Sequence, residues 1–431
     1  MNGFYKRTVA RALVAACALA SATVVRADDS AYAFGGWSGE RARLADSGVL
    51  LGSSYVSEVA HNLSGGNKQL TRHAGQLAFD ATFDLDKLWG FSGALFRVTI
   101  TERDGNSLNR DAGIDALMQP QEVYGRNQTW RLTQFWYGQD LAGGAVQLKV
   151  GRLAVGEDFS VFECSFMNLA FCGDQSGNLV GYYWFNYPVS QWGGVAKIDF
   201  STQHYLKFGA YQVNPSYLRT NESLALNPAG TTGALFPVEF GWTPRFSGDL
   251  AGSYVVGGWY TTANQTDLYT DVDGHAAGKS GLPFKERAGS YGGYLTFSQQ
   301  LSHGDGVDAL SGARVFFNAT QADRSTSRVD REIAVGVIQH GLVGRHPDEI
   351  GVALSMTHSN SRLANYVREV RKLDDAALPV VGKEITAEVF YGWQAARWLV
   401  VRPNLQWIHQ PGGNGQRNDV CVAGLKSIIT F

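Results

Sequence analysis

Residues 75–85 read Gly75-Gln76-Leu77-Ala78-Phe79-Asp80-Ala81-Thr82-Phe83-Asp84-Leu85. In an extended chain, successive side chains point to opposite sides. Gly75, Leu77, Phe79, Ala81, Phe83 and Leu85 therefore share one face, with Gln76, Ala78, Asp80, Thr82 and Asp84 on the other. Such alternation sets one face in an apolar medium and the other in a polar one. The same period returns along the chain. Phe96, Val98 and Ile100 oppose Arg97, Thr99 and Thr101; Trp130, Leu132 and Trp136 oppose Arg131, Thr133 and Tyr137. Val146, Leu148 and Val150 oppose Gln147 and Lys149, Ile198 and Phe200 oppose Lys197 and Asp199, and Val315, Phe317 and Ala319 oppose Arg314, Asn318 and Thr320. No helical stripe longer than a turn or two competes with this pattern. The chain is all-β.

Sixteen candidate strands follow: 49–60, 73–85, 93–103, 129–141, 145–153, 191–200, 204–213, 237–245, 251–262, 289–301, 311–321, 332–341, 350–359, 383–395, 398–409 and 420–431. An even number of strands of about 10 residues is what a transmembrane barrel requires. The connections sort into two kinds. Long ones (61–72, 104–128, 154–190, 214–236, 263–288, 322–331, 360–382, 410–419) alternate with mostly short ones (86–92, 142–144, 201–203, 246–250, 302–310, 342–349, 396–397). Long loops on one rim and tight turns on the other define a 16-stranded antiparallel β-barrel of the outer membrane, with extracellular loops and periplasmic turns. The polar face agrees. Arg97, Arg131, Lys149, Lys207, Glu239, Arg314 and Glu388 would be solvated in a water-filled lumen, whereas in a sandwich core each would need a partner. Trp89, Trp136, Trp192, Trp242, Trp393, Trp398 and Trp407 stand near strand ends, as interfacial girdles do, and Phe431 ends the last amphipathic strand.

Composition excludes other classes. The 431 residues include 51 Gly, 44% are hydrophobic, 12% aromatic and 18% charged, with formal net charge −2. So apolar a chain can offset its ordering entropy and is not disordered. A near-neutral balance lacks the clustered Lys and Arg that phosphate contacts demand. Beyond the first 30 residues no apolar run approaches the roughly 20 residues of a membrane helix. Those first residues carry Lys6, Arg7 and Arg11, an apolar stretch from Ala12 to Val25, and Val25-Arg26-Ala27. They read as a cleaved secretory signal peptide over 1–27, leaving 28–431 as one barrel domain with a short periplasmic N-terminal segment. The exported chain is mildly acidic. In an oxidising compartment Cys164 and Cys172 suit a disulfide, with two independent thiols as the alternative, and Cys421 is left over. Asp267, Asp271 and Asp273-Gly274 faintly resemble a calcium loop but lack the closing carboxylate. There is no His-Glu-x-x-His and no Gly-x-Ser-x-Gly. No metal, no cofactor and no nucleic-acid partner is expected, and no enzymatic activity.

Several blocks resemble the carbohydrate-selective porin family, OprB or porin B: Trp130 to Tyr137, Gly151-Arg152 with Gly156-Glu157-Asp158-Phe159, and Cys164 with Asn168-Leu169-Ala170-Phe171-Cys172-Gly173. Others are Pro188-Val189-Ser190-Gln191-Trp192, Gly209-Ala210-Tyr211-Gln212-Val213-Asn214-Pro215, Gly257-Gly258-Trp259-Tyr260, Tyr391-Gly392-Trp393, Arg402-Pro403-Asn404 and His409-Gln410-Pro411-Gly412-Gly413. The resemblance implies an outer-membrane barrel of a Gram-negative bacterium that passes monosaccharides, glucose foremost, into the periplasm. A general diffusion porin and an outer-membrane barrel enzyme are the alternatives.

A sugar channel must bind its solute weakly and repeatedly. Hydroxyls call for Arg, Asp, Glu, Asn and Gln, and the flat C–H face of a sugar for Trp and Tyr. Loop 104–128 holds Asn106, Asn109, Arg110, Asp111, Gln121, Glu122 and Arg126; loop 154–190 holds Gln175, Asn178, Tyr182, Tyr183 and Trp184. One or both are expected to fold inward and narrow the pore, stiffened by the Cys164–Cys172 link. The candidate solute path comprises Asp80, Arg97, Arg110, Glu122, Arg131, Tyr183 and Trp184. Expected partners are monosaccharides, outer-membrane lipid and lipopolysaccharide, and the barrel-assembly machinery that reads a C-terminal strand ending in Phe431. A homotrimer is one assembly open to such a barrel.

Overall fold

The computed structural model describes residues 31–246, 249–303, 311–341, 347–374 and 381–431. The signal-peptide segment 1–27 lies outside them. Sixteen strands close into one antiparallel barrel. They are β1 (Val49–Ser64), β2 (Thr71–Asp84), β3 (Ala94–Gly105), β4 (Trp130–Leu141), β5 (Val146–Leu153), β6 (Gln191–Asp199), β7 (His204–Val213) and β8 (Gly233–Trp242). The circuit continues with β9 (Leu250–Thr261), β10 (Ser290–Gln300), β11 (Gly312–Ala322), β12 (Val329–His340), β13 (Glu349–Ser359), β14 (Lys383–Ala396), β15 (Leu399–His409) and β16 (Val420–Thr430). Each pairs with its sequence neighbour, and β1 closes the circuit on β16 from Ser54↔Thr430 onward. Among the described residues, no helix is long and apolar enough to cross a membrane.

Alternation decides which side each residue takes. Phe79, Ile100, Leu148, Val150, Val238, Val256, Leu295, Val335, Val352, Leu405 and Leu425 are exposed on the outer wall, the face that meets lipid. Thr99, Thr101, Glu239, Thr296, Asn318, Glu332, Ser355, Glu384, Glu388, Gln406 and Lys426 point inward and are buried. At the periplasmic rim, residues 31–48 lie against the chain end. Phe34 stacks on Phe431 with ring centroids 5.0 Å apart, and the Arg41 guanidinium donates to the Phe431 carbonyl at 2.9 Å. The helix Leu85–Trp89 fills one periplasmic turn, capped by Asp84, whose carboxylate accepts from the Asp86 and Lys87 amides at 3.1 Å.

Two departures from strict alternation have local causes. In β4 the ladder steps from Thr99↔Gln134 to Ile100↔Leu132, leaving Thr133 as an extra residue. This bulge puts both Thr133 and Gln134 inside and reverses every side chain that follows. Trp136, expected on the lipid face, therefore points inward, with the Lys149 ammonium 5.0 Å from its ring, and Tyr137 is exposed outside. β8 begins at Gly233, four residues before the expected Pro237. Pro237 cannot donate to β7, where pairing jumps from Phe208↔Val238 to Tyr211↔Leu235, but its other edge still pairs Trp259 of β9.

Candidate functional site

The barrel's own loops fold into its interior. Segment 154–190 passes inside, and Val155, Phe159, Phe166, Phe171, Val180, Tyr183 and Trp184 form a buried apolar cluster with wall residues Val195, Trp259, Tyr294, Phe316 and Phe390. Its short helix, Gln175–Val180, is capped by Asp174, which accepts from the Gly177 amide at 2.6 Å and from the Trp184 indole at 3.1 Å. Burial raises the Asp174 carboxyl to about 7, against the pull of those two donors. Loop 106–129 runs inward beside it: the Glu122 amide donates to Met167 O at 2.9 Å, and the Leu169 amide donates to Gln119 O at 3.0 Å.

Wall glutamates hold both loops in place. Glu384 on β14 accepts from the Leu117 amide at 2.7 Å, the Met118 amide at 3.1 Å and the Gly412 amide at 2.8 Å. Four residues further along the same inner face, Glu388 accepts from the Met167 and Asn168 amides, both at 2.8 Å. Glu58 on β1 accepts from the Val123 amide, and Glu239 on β8 from the Ser160 amide, each at 3.2 Å. The buried Lys426 ammonium on β16 completes the frame, 3.0 Å from Glu122, 3.5 Å from Glu58 and 2.9 Å from Phe166 O.

This packing is one-sided. Inner-face groups of β11–β14 lie under the loops. Inner-face groups of β2–β6 remain partly open: Gln76, Asp80, Arg97, Trp136, Lys149 and Lys197. Arg97 pairs with Asp80 at 3.4 Å, Arg103 Nε donates to Gln76 at 2.7 Å, and Lys149 pairs with Asp158 at 2.5 Å. Facing them from the inward loop is Glu157, which accepts from Gln134 at 2.5 Å. Burial raises Glu157 to about 7, although Arg97 and Lys149 pull it down. Arg126 donates to Gly181 O at 2.5 Å, tying loop to loop; burial and the neighbouring Arg103 lower it to about 10, so it stays cationic at neutral pH. The result is a polar strip with cations and anions interleaved, bounded opposite by a fixed partition.

The expected solute-path residues divide by placement. Asp80 and Arg97 lie together on the open strip, and Glu122 lies within the loop frame beside Lys426. Arg131 is 1% exposed and donates to the carbonyls of Tyr217 (2.7 Å), Leu218 (3.2 Å) and Arg126, so it braces loop 214–232. Tyr183 and Trp184 are 0% exposed, packed on Trp259, whose indole donates to the Tyr183 hydroxyl at 2.9 Å. As placed, their ring faces touch the wall and not the lumen. Arg110 is 67% exposed on the extracellular surface, bonded to Asp111 at 2.9 Å. Cys164 and Cys172 are joined within the inward loop. Arg103, Gln134 and Glu157 stand outside the candidate solute path read from sequence; Arg103 continues the inward row of Thr99 and Thr101, and that row is the signal that finds it.

The faint calcium loop is built otherwise. Asp267 accepts from Arg287 at 2.7 Å and Arg362 at 2.6 Å, and Asp271 from the Asp273 and His275 amides and the Ser280 hydroxyl. Its carboxylates are taken by the strand pair 265–271 and 284–287 and by the helix Ser361–Asp374.

A closed sixteen-stranded barrel with loops folded into a polar lumen defines a porin-type channel. The family model of the carbohydrate-selective porins, OprB family, matches residues 68–431. Porin B of Pseudomonas aeruginosa is 40% identical over 418 residues, covering 94% of this chain and 92% of that one. The putative porin QuiX of Acinetobacter baylyi is 33% identical over 454 residues and the full length of both. The high-pH structure of Pseudomonas putida OprB superimposes with TM-score 0.91 at 38% identity, over 94% of this chain and 100% of that one. The chain belongs to the OprB family of carbohydrate-selective porins and is a sugar-selective channel of the outer membrane.

Proposed function

We propose that the channel passes neutral monosaccharides, glucose foremost, by passive diffusion, and that loops 106–129 and 154–190 set its width. The observation that carries this reading is the fastening of both loops to Glu58, Glu239, Glu384 and Glu388 through backbone amides. A partition held at so many points keeps a constant bore. The strip of Gln76, Asp80, Arg97, Lys149 and Lys197, with Glu157 facing it, supplies donors and acceptors to sugar hydroxyls. Because its charges are paired, it holds a neutral solute weakly and lets it leave.

The chain acts as a conduit and not as a catalyst in this reading. Outer-leaflet lipid surrounds it, and the assembly machinery reads its last strand, ending in Phe431. Glucose titrated into a planar bilayer containing single channels should reduce the ionic conductance reversibly, and a disaccharide should do so far less. Equal reduction by both would favour a general diffusion pore.

A further inference from the structure

The outer wall carries an uneven distribution of charge at its extracellular rim. Register places Arg331 of β12 directly beside His358 of β13, and His358 directly beside Lys383 of β14. Glu332, Thr357 and Glu384 next to them in sequence are buried inside, so Arg331, His358 and Lys383 form a row on the outside. The exposed Arg331 and Lys383 sit two strands apart, about 10 Å at the usual strand spacing. Directly below them, toward the bilayer centre, come Ile333, Met356 and Ile385, and beyond these the exposed Val335, Leu354 and Val352. Among the described residues, neither Arg331 nor Lys383 has a carboxylate partner. The neighbouring acid, Asp330, is already engaged by His358 at 2.6 Å and Arg324 at 3.5 Å.

Beside this row, loop 262–289 and the ends of β9 and β10 enclose a hollow of about 500 Å³. It is lined by Tyr260 and Tyr291, by Lys285, Glu286 and Arg287, and by Asp323 and Ser325 from the loop that leads to Arg331; Arg287 is engaged by Asp267 at 2.7 Å and Glu286 by the Thr266 hydroxyl at 2.9 Å. Both tyrosine rings face outward, Tyr291 being 63% exposed. The extracellular end of β3 presents the opposite sign on its outer side, Glu102 and Asp104.

Exposed cations immediately above an apolar band, next to two outward aromatic rings, match one class of partner. We propose that the rim over β9–β14 binds the phosphorylated saccharide headgroup of the outer-leaflet glycolipid. Arg331 and Lys383 take its phosphate groups, and Tyr260 and Tyr291 lie under the sugar. The carboxylates at β3 repel the same headgroup, so the glycolipid docks on one side of the barrel. Anionic surface groups reward each nearby Lys or Arg by an amount that compounds across two residues to roughly thirtyfold in affinity.

The test is native mass spectrometry of the full chain in detergent, titrated with lipid A carrying its phosphates and with the dephosphorylated lipid. Wild-type protein should retain the phosphorylated lipid, and the dephosphorylated form should bind about thirtyfold more weakly. Arg331→Ala with Lys383→Ala should match that loss, while Arg331→Lys with Lys383→Arg keeps binding. Equal retention of both lipids by wild type would overturn the proposal, as would full retention by the double alanine variant. So would displacement of the lipid by inorganic phosphate alone, which would reveal a free-anion site. The comparison of the two lipids on wild-type protein stands even if a variant does not fold.

Discussion

The Glu384 side chain, on the inner wall of β14, accepts the backbone amide of Leu117 at 2.7 Å across 267 residues of sequence. A carboxylate that fixes main chain rather than side chain fixes the path of a loop whatever residues that loop carries. Glu384→Ala leaves up to three amides without an acceptor, each costing about 1–3 kcal/mol if it stays buried. The loop will instead pull away. Single-channel conductance should rise and discrimination between glucose and a disaccharide should fall, with Glu384→Gln in between. Unchanged conductance in a folded, inserted Glu384→Ala channel would remove the anchoring role.

The bulge in β4 makes a topological prediction. In a Cys421→Ser background, Trp136→Cys should react with a membrane-impermeant thiol reagent through the lumen, and Tyr137→Cys should be protected by lipid. The reverse pattern would restore uninterrupted alternation.

The Glu157 carboxyl sits at about 7 because burial outweighs the pull of Arg97 and Lys149. Below that pH it is neutral and the cations of the strip prevail; above it the strip gains a negative charge. The reversal potential in a salt gradient should therefore move toward cation preference as pH rises from 6 to 8, about one unit either side of that value. Glu157→Gln should flatten the curve. A wild-type profile that is already flat would contradict the assignment.

Asp267 joins the extracellular strand pair to the helix Ser361–Asp374. Its burial favours the protonated form, but the Thr270 and Tyr269 amides with Arg362 and Arg287 outweigh it and hold the carboxyl down at about 2. A depressed carboxyl contributes stability above its unfolded value, near 3.8, and loses it as pH falls toward 2. Hydrogen-exchange protection of 265–287, corrected for intrinsic rates, should be constant from pH 7 to 5 and collapse between about 4 and 2. Asp267→Asn should show the low-pH behaviour at pH 7.

What the sequence makes legible follows from what period-two alternation encodes. The sixteen strands, their inside and outside faces and the sorting of long from short connections all rest on that period, and each stands in the structure within a few residues, except for the faces of β4 beyond its bulge. Trp136 escaped because one inserted residue reverses a face without altering composition. Tyr183, Trp184 and Arg131 escaped for another reason. Polar and aromatic content says that a loop suits a lumen, but not which of its side chains turn to the wall. That choice is made by tertiary packing on Trp259, Tyr294 and Phe316, and by the orphan carbonyls of loop 214–232 that Arg131 satisfies. Glu384 and Glu388 read simply as inward charges, because their partners are backbone amides, which leave no mark in sequence.

The central claim is that the partition of inward loops makes a pore selective for small neutral sugars. Osmotic swelling of liposomes bearing the purified protein, compared for glucose, a disaccharide and an amino acid of similar size with a net charge, tests it most directly. The account predicts rapid swelling in glucose and slow swelling in the other two. Equal rates in all three would contradict it.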